Sequence, residues 1–203
     1  MEAQHPMDKK KRSYVPHRTR PKVYNGPVHT TVHLIDGLPC LRSEPEHACI
    51  VKAIGAAQQR FGCQIVDFSV LSNHLHLILE APDAERLSQA MKSLLVRIAR
   101  GLNKLWKRKG SIFRERFHCV VMKTVAQIRR TVTYVLQNAR KHGMQLWPID
   151  PCSSGSWFDG WERPPPPQRR ANPGVPPRTW LLSTGWKRHG LIRFEESPRT
   201  GLE

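Results

Sequence analysis

Acidic residues are scarce in this sequence beside basic ones. Its 203 residues contain 16 Asp and Glu against 33 Lys and Arg, a net charge of +17. That imbalance excludes an ordinary neutral enzyme of small metabolites and calls for a polyanionic partner: DNA, RNA or an acidic membrane surface. Long apolar runs are missing too. Nothing approaches the ~18 consecutive apolar residues of a membrane span, and the N-terminus has no signal-peptide run, so no membrane partner is expected and the location read is cytoplasmic. The five cysteines (40, 49, 63, 119, 152) are odd in number and widely spaced, without a C-x-x-C pair. This argues against a disulfide framework or a structural zinc cluster. Hydrophobic residues make up 39%, enough for one core, with the shortfall at the two ends.

Three segments follow. Residues 1–27 read as a flexible arm: Lys9, Lys10, Lys11, Arg12, Arg18, Arg20 and Lys22 alternate with prolines, with no helical period and little to bury. The cations suit phosphate contact better than a merely solubilising tail. Residues 28–146 read as the single folded domain. Residues 147–203 form a Pro-, Trp- and Arg-rich tail with four consecutive prolines at 164–167. Its tryptophans either stack on unpaired bases or staple the tail to the domain, the staple being favoured for Trp157, Phe158 and Trp180. A short helix is expected over 179–188.

Within the domain, 28–35 is β-branched and ends at Asp36-Gly37, a strand and turn. Residues 44–61 read as a helix stopped by Gly62. Residues 64–71 form a second strand, and Ser72-Asn73 turns directly into a third, suggesting a hairpin. A long helix opens at Pro82-Asp83. Leu87, Met91, Leu94, Ile98, Leu102 and Leu105 line one face, and Arg97, Arg100 and Lys104 are among the cations of the others. Almost no acid balances these cations, which favours backbone-phosphate binding over a solvated face. Residues 116–123, with Arg116 at their start, form a fourth strand. Thr124 is an N-cap candidate for a helix over 125–142 that carries Lys141 and stops at Gly143. The order strand, helix, strand, strand, helix, strand, helix is that of an α+β, ferredoxin-like (RRM-like) antiparallel sheet with helices packed on one face.

The third strand carries the chemistry. It runs L-S-N-H-L-H-L-I-L-E from Leu71 to Glu80. Side chains alternate along a strand, so His74 and His76 share one face while Leu75, Leu77 and Leu79 anchor the other. Two imidazoles side by side form half of a metal site. The last helix offers the other half. Its apolar face is Val125, Ile128, Val132, Val135 and Ala139, and Tyr134 lies about 130° from the centre of that face at 100° per residue. Tyr134 and Asn138 are i and i+4 neighbours. With this face laid over the histidines, two imidazoles and an amide oxygen hold a metal beside a phenol. A divalent ion there stabilises a leaving 3′ oxygen, and a tyrosine oxygen attacks phosphorus to give a covalent phosphotyrosine. Gln137 is a second amide candidate, ranked lower because it lies nearer the valine face. His33 and His118 are further imidazoles, each expected to pack or face solvent.

N-H-L-H-L-I resembles the His-hydrophobic-His (HUH) motif of single-strand DNA endonucleases, and Y-V-L-Q-N-A-R-K-H-G resembles the tyrosine helix of one-tyrosine transposases. The nearest likeness is to the REP-associated tyrosine transposases and related small insertion-sequence transposases of bacteria, over residues 29–142, with a further familiar stretch, D-P-x-S-S-x-x-W-F, at 150–158. The resemblance implies an HUH-type fold with His74, His76 and Asn138 as ligands of Mg²⁺ or Mn²⁺ and Tyr134 as nucleophile. It also implies single-stranded DNA hairpins as substrate, the arm as reader of a guide sequence, and a bacterial, nucleoid-associated location. Relatives occur as monomers and as homodimers. The chain has Asn138-Ala139 where many relatives have Asn-Pro, and alanine lets the helix continue. Two rivals are a catalytically silent, domesticated single-stranded nucleic-acid-binding module of the same fold and a metal-dependent hydrolase. The strands lack the aromatic pair of an RNA-binding sheet, and the hydrolase would need more carboxylates or a third histidine.

Overall fold

The computed structural model describes residues 22–144 and 148–198. The arm cations Lys9, Lys10, Lys11, Arg12, Arg18 and Arg20 lie outside the described residues. Four strands, β1 (Tyr24–His33), β2 (Gln64–Val70), β3 (His74–Asp83) and β4 (His118–Val121), form one sheet in the order β2-β3-β1-β4. Every neighbouring pair is antiparallel. The α+β, ferredoxin-like class is thus the observed fold. β1 starts four residues before the expected Val28, because its ladder with β3 continues to Tyr24 opposite Asp83.

Alternation sorts the strand side chains into two layers. Val28 and Val32 of β1, Leu75, Leu77 and Leu79 of β3, and Cys119 of β4 join Ile50 and Ile54 of α1 (Glu44–Ala57) and Leu87, Met91, Leu94, Ile98 and Leu102 of α2 (Ala84–Leu105) in one apolar core. Asp83 caps α2 by accepting the Arg86 N–H at 2.7 Å, and α2 ends earlier than its basic run suggested. Leu105, read as part of the apolar face, is 42% exposed. Gly101 lets α1 and α2 close up, since a Cβ there would collide with Cys49 Sγ. α1 stops at Ala57, short of the expected 61. Gln59 and Phe61 then take left-handed φ values of 58° and 56°, turning the chain into β2.

The other face of the sheet is covered as well. A register shift between Ile65 and Asp67 turns Val66 toward this side. There Val66 and Ile78 meet Ile128, Val132, Tyr134, Val135 and Leu136 of α3 (Val125–Leu136) and the tail residues Phe158, Trp161, Leu182, Trp186, Ile192 and Phe194. The first two helices therefore lie on one side of the sheet, and the third helix with the tail on the other. α3 begins with a full capping box between Thr124 and Gln127.

The tail is anchored at fixed points. Asp150 takes a two-pronged bond from Arg42 at 2.7 and 2.9 Å, and the Val70 N–H donates to the Cys152 carbonyl at 2.9 Å. Ser154 Oγ donates to Asp67 at 2.8 Å. Glu80 accepts from the backbone N–H of Arg178 and Thr179 at 2.7 Å each. The D-P-x-S-S stretch is thus a clip against β2. Phe158, Trp161 and Trp186 are the buried staples, whereas Trp180 is 50% exposed with the Arg188 guanidinium over its ring. Trp180 opens α5 (Trp180–Ser183), a single turn in which Leu182 is buried and Leu181 packs partly against the same cluster, while the Trp180 ring stays half outside.

Candidate active site

The site lies on the sheet face beneath α3. His76 is central and 3% exposed. The Tyr134 ring stands edge-on to it with centroids 5.2 Å apart. His29, on the neighbouring strand, stacks on His76 at 5.2 Å and meets Tyr134 at 6.1 Å. His74 lies 4.9 Å from His76, with His33 stacked on it at 4.8 Å and His142 edge-on at 5.9 Å. Tyr134 is thus over His76 and His142 over His74, and Asn138 lies on the chain between them, fully buried.

The helix that carries Tyr134 does not run unbroken to His142. α3 ends at Leu136, Gln137 turns out of helical geometry (φ −108°, ψ 11°), and a further turn, α4 (Asn138–Lys141), follows. The physical cause is the tail: Gln137 Nε2 donates to the carbonyls of Phe194 at 2.8 Å and Arg193 at 3.3 Å. Gln137 Nε2 is thereby engaged in holding the chain end. Tyr134 is 2% exposed, because the second half of α3 is enclosed between sheet and tail on nearly every side.

Partnerless buried atoms mark the centre of the site. Among the described residues, His76 Nε2, Asn138 Oδ1 and Nδ2, and Ser69 Oγ are buried without a hydrogen-bond partner. Ser69 is the β2 residue directly opposite His76. Buried polar atoms are nearly always paired, and each orphan costs about 1–3 kcal/mol. Burial pushes the His76 imidazole down to about 2, helped by the nearby histidines, and pushes His29 down to about 4, with His118 adding to it. Both rings are neutral at pH 7 and so have a lone pair to give.

Of the other cations marked in the sequence, Lys141 reaches the site, its Nζ 5.1 Å from the centre of the Tyr134 ring. Arg97, Arg100 and Lys104 sit on α2, on the opposite side of the sheet. Arg116 is exposed just before β4. His33 and His118 are exposed at its margin. His29 is the residue that sequence reasoning passed over. Its signal was the strand period, which puts His29, Thr31 and His33 of β1 on one face. Among the described residues, no three His, Cys, Asp or Glu side chains are grouped to hold a metal ion. A cation here would therefore need the amide of Asn138 as its third protein donor.

One solved structure agrees with this architecture. A solved REP-associated tyrosine transposase, bound to a REP hairpin, shares 21% identity and a TM-score of 0.58, over 70% of this chain and 83% of that one. At that identity the likeness establishes the fold. A chain from Deinococcus radiodurans R1 is more distant, with 18% identity over 62% of this chain and 95% of that one and a TM-score of 0.41. No curated protein sequence matches. No helix among the described residues is long and apolar enough to cross a membrane. The family model described as "Transposase IS200 like" matches residues 22–138, more than half of the sequence, and on that match the chain belongs to the IS200-like transposase family.

Proposed function

We propose that this transposase-family chain is a metal-dependent, tyrosine-nucleophile endonuclease and strand transferase acting on single-stranded DNA beside hairpins. One observation carries the reading: a buried phenol, Tyr134, stands over a histidine whose outer nitrogen has no partner, next to a buried amide with none. Polar atoms at those depths are paired in the large majority of cases. The atoms left bare are those a divalent cation takes, an imidazole nitrogen and an amide oxygen. His74, His76 and Asn138 would hold Mg²⁺ or Mn²⁺, which when bound polarises the scissile phosphate and stabilises the leaving oxygen.

The chain's residues supply the rest. Tyr134 Oη attacks phosphorus, the P–O bond to the 3′ oxygen breaks, the phenol loses its proton and the departing 3′ oxygen gains one. The 5′-phosphate stays esterified to Tyr134, so a later 3′-OH can reverse the step and join strands. Burial of Tyr134 keeps water from competing for that ester. Lys141 adds a positive charge beside the ring, where a phosphate would approach. The net charge of +17 supports DNA as the partner. The hairpin seen with the structural neighbour supports a folded single strand as its form.

The test is incubation of the protein with end-labelled hairpin DNA from the flanks of its own gene, with Mn²⁺ or with chelator, followed by a denaturing protein gel. The expected result is a labelled protein band that needs metal and is absent in Tyr134→Phe, with DNA binding nearly unchanged. Cleavage by Tyr134→Phe would sink the nucleophile. Shifted DNA on a native gel with no covalent band on any flanking hairpin would leave a silent binding module of the same fold.

A further inference from the structure

One row of side chains crosses all four strands beneath α3. Ser69 of β2 is opposite His76 of β3, His76 is opposite Thr31 of β1, and Thr31 is opposite His118 of β4. His29 stands one step along β1 from this row, opposite Ile78, and reaches His76 diagonally. Its Nε2 lies 3.1 Å from His76 Nδ1, and Thr31 Oγ1 lies 3.1 Å from the same nitrogen. The inner nitrogen of His76 thus has two neighbours and the outer one has none.

A neutral imidazole carries one proton, and its place decides what the ring can do. With the proton on Nε2, His76 would bury an N–H that nothing accepts and would have no lone pair to offer there. With the proton on Nδ1, it donates toward His29 and Thr31, and the Nε2 lone pair faces the space beneath α3. His74 shows the same polarity. Its Nδ1 is 2.8 Å from Asn73 Oδ1, an atom that can only accept, so His74 too holds its proton on the inner nitrogen.

We infer that His29 is a positioning residue for His76. Its Nε2 accepts the His76 Nδ1–H, its own proton sits on Nδ1, and the stacked pair fixes both the tautomer and the plane of the ring. Thr31 backs up this contact. The inference rests on the proposed metal role of His76 and adds a buried histidine behind it, where a ligating histidine commonly has a carboxylate or carbonyl. His29 touches neither substrate nor metal in this scheme. It acts only through His76.

The test uses the full chain with ¹⁵N-labelled histidine. Long-range ¹H–¹⁵N spectra in chelator at neutral pH report the tautomer without any metal. Mn²⁺ affinity by titration calorimetry is read beside them for wild type, His29→Phe, His29→Gln and His76→Ala. Wild-type His76 should be the Nδ1–H tautomer. His29→Phe keeps a stacked ring but loses the acceptor, so it should give a mixture of tautomers and bind Mn²⁺ about 10–100-fold more weakly. His29→Gln offers an amide oxygen and should recover most of that loss. An Nε2–H tautomer in wild type overturns the inference, and this readout does not depend on any variant folding. Unchanged Mn²⁺ affinity in His29→Phe, with weakened binding in His76→Ala, overturns it and leaves the metal site standing. Unchanged affinity in His76→Ala overturns the metal site and the inference with it.

Discussion

The two faces of the sheet are built from the same strands and are finished to different standards. Toward α1 and α2, the alternate residues are valines and leucines, closed on leucine, isoleucine and methionine. Toward α3 and the tail, the intervening residues are His29, Thr31, Ser69, His74 and His76, and Ser69 Oγ and His76 Nε2, with both amide atoms of Asn138, are buried without partners among the described residues. The first layer is made for stability. The second gives stability up at its centre and regains it at the rim, where the tail clips on through Arg42–Asp150, Glu80–Thr179 and Arg129–Glu196. Orphaned polar atoms also occur on α1 and α2, at Glu46, His47, Arg97 and Asn103, and at Arg108, but beneath α3 four of them belong to just three residues, Ser69, His76 and Asn138.

Large-to-small substitutions should separate the layers most sharply. Leu94→Ala removes a 1%-exposed leucine from the helical layer and Trp186→Ala a 1%-exposed indole from the tail layer. Each should cost about 2–5 kcal/mol by chemical denaturation. Their effects on Mn²⁺ affinity should differ. Leu94→Ala, measured where it is still folded, should leave the affinity within about twofold. Trp186→Ala takes away the surface on which α3 rests and should weaken it about tenfold or more. Equal losses in both would mean that the tail layer plays no special part in seating Asn138.

How much of this could be read beforehand follows from the range of the interactions. The period of two puts His74 and His76 on one face whatever they pack against. The off-axis position of Tyr134 is equally local. What escaped is set by distant partners. His29 gains its meaning from His76, 47 residues away. The break at Gln137 comes from the carbonyl of Phe194, 57 residues away; by local propensity Gln137-Asn138-Ala139 continues a helix. The helices were expected on one face, and α1 and α2 do lie there; the enclosure of α3 from the other side could not be inferred from a tail whose prolines give it no period. For the same reason the sequence favours Trp180 over Trp186 as a staple, whereas the structure exposes Trp180 and buries Trp186.

The next contrast concerns a carboxylate that belongs to the tail layer but not to the site. Asp67 is buried on β2 beside a cavity of about 200 Å³ lined by Trp157, Phe158 and Leu182. Burial raises its pKa to about 6, against the opposing hydrogen bond from Ser154, with Asp159 adding to the rise. A carboxyl whose folded pKa exceeds its unfolded value binds more protons when folded. Its contribution is therefore favourable below about pH 4 and is lost as pH climbs through about 6. Asp67→Asn keeps an acceptor for Ser154 and removes the buried charge. At pH 7.5 it should be more stable than wild type by roughly 2–3 kcal/mol, and near pH 4 the two should converge. A gap that does not shrink on acidification would show that the benefit comes from packing and not from charge.

The subtlest contrast is inside the site. Asn138 is fully buried with both amide atoms unpaired, so in metal-free buffer it is a liability of about 1–3 kcal/mol, partly offset by the contacts its side chain makes. Asn138→Ala removes the liability together with a few buried atoms. In chelator its melting temperature should equal or slightly exceed that of wild type, unlike an alanine substitution elsewhere in either core. With saturating Mn²⁺ the order should reverse, because ligand binding raises wild-type stability by mass action and the variant has lost a donor. An Asn138→Ala protein several degrees less stable in chelator would mean that the amide has structural partners in solution, and the case for a metal donor at Asn138 would fall. The reversal is the sharper outcome: stability surrendered without the ion and regained with it separates a binding residue from a packing one.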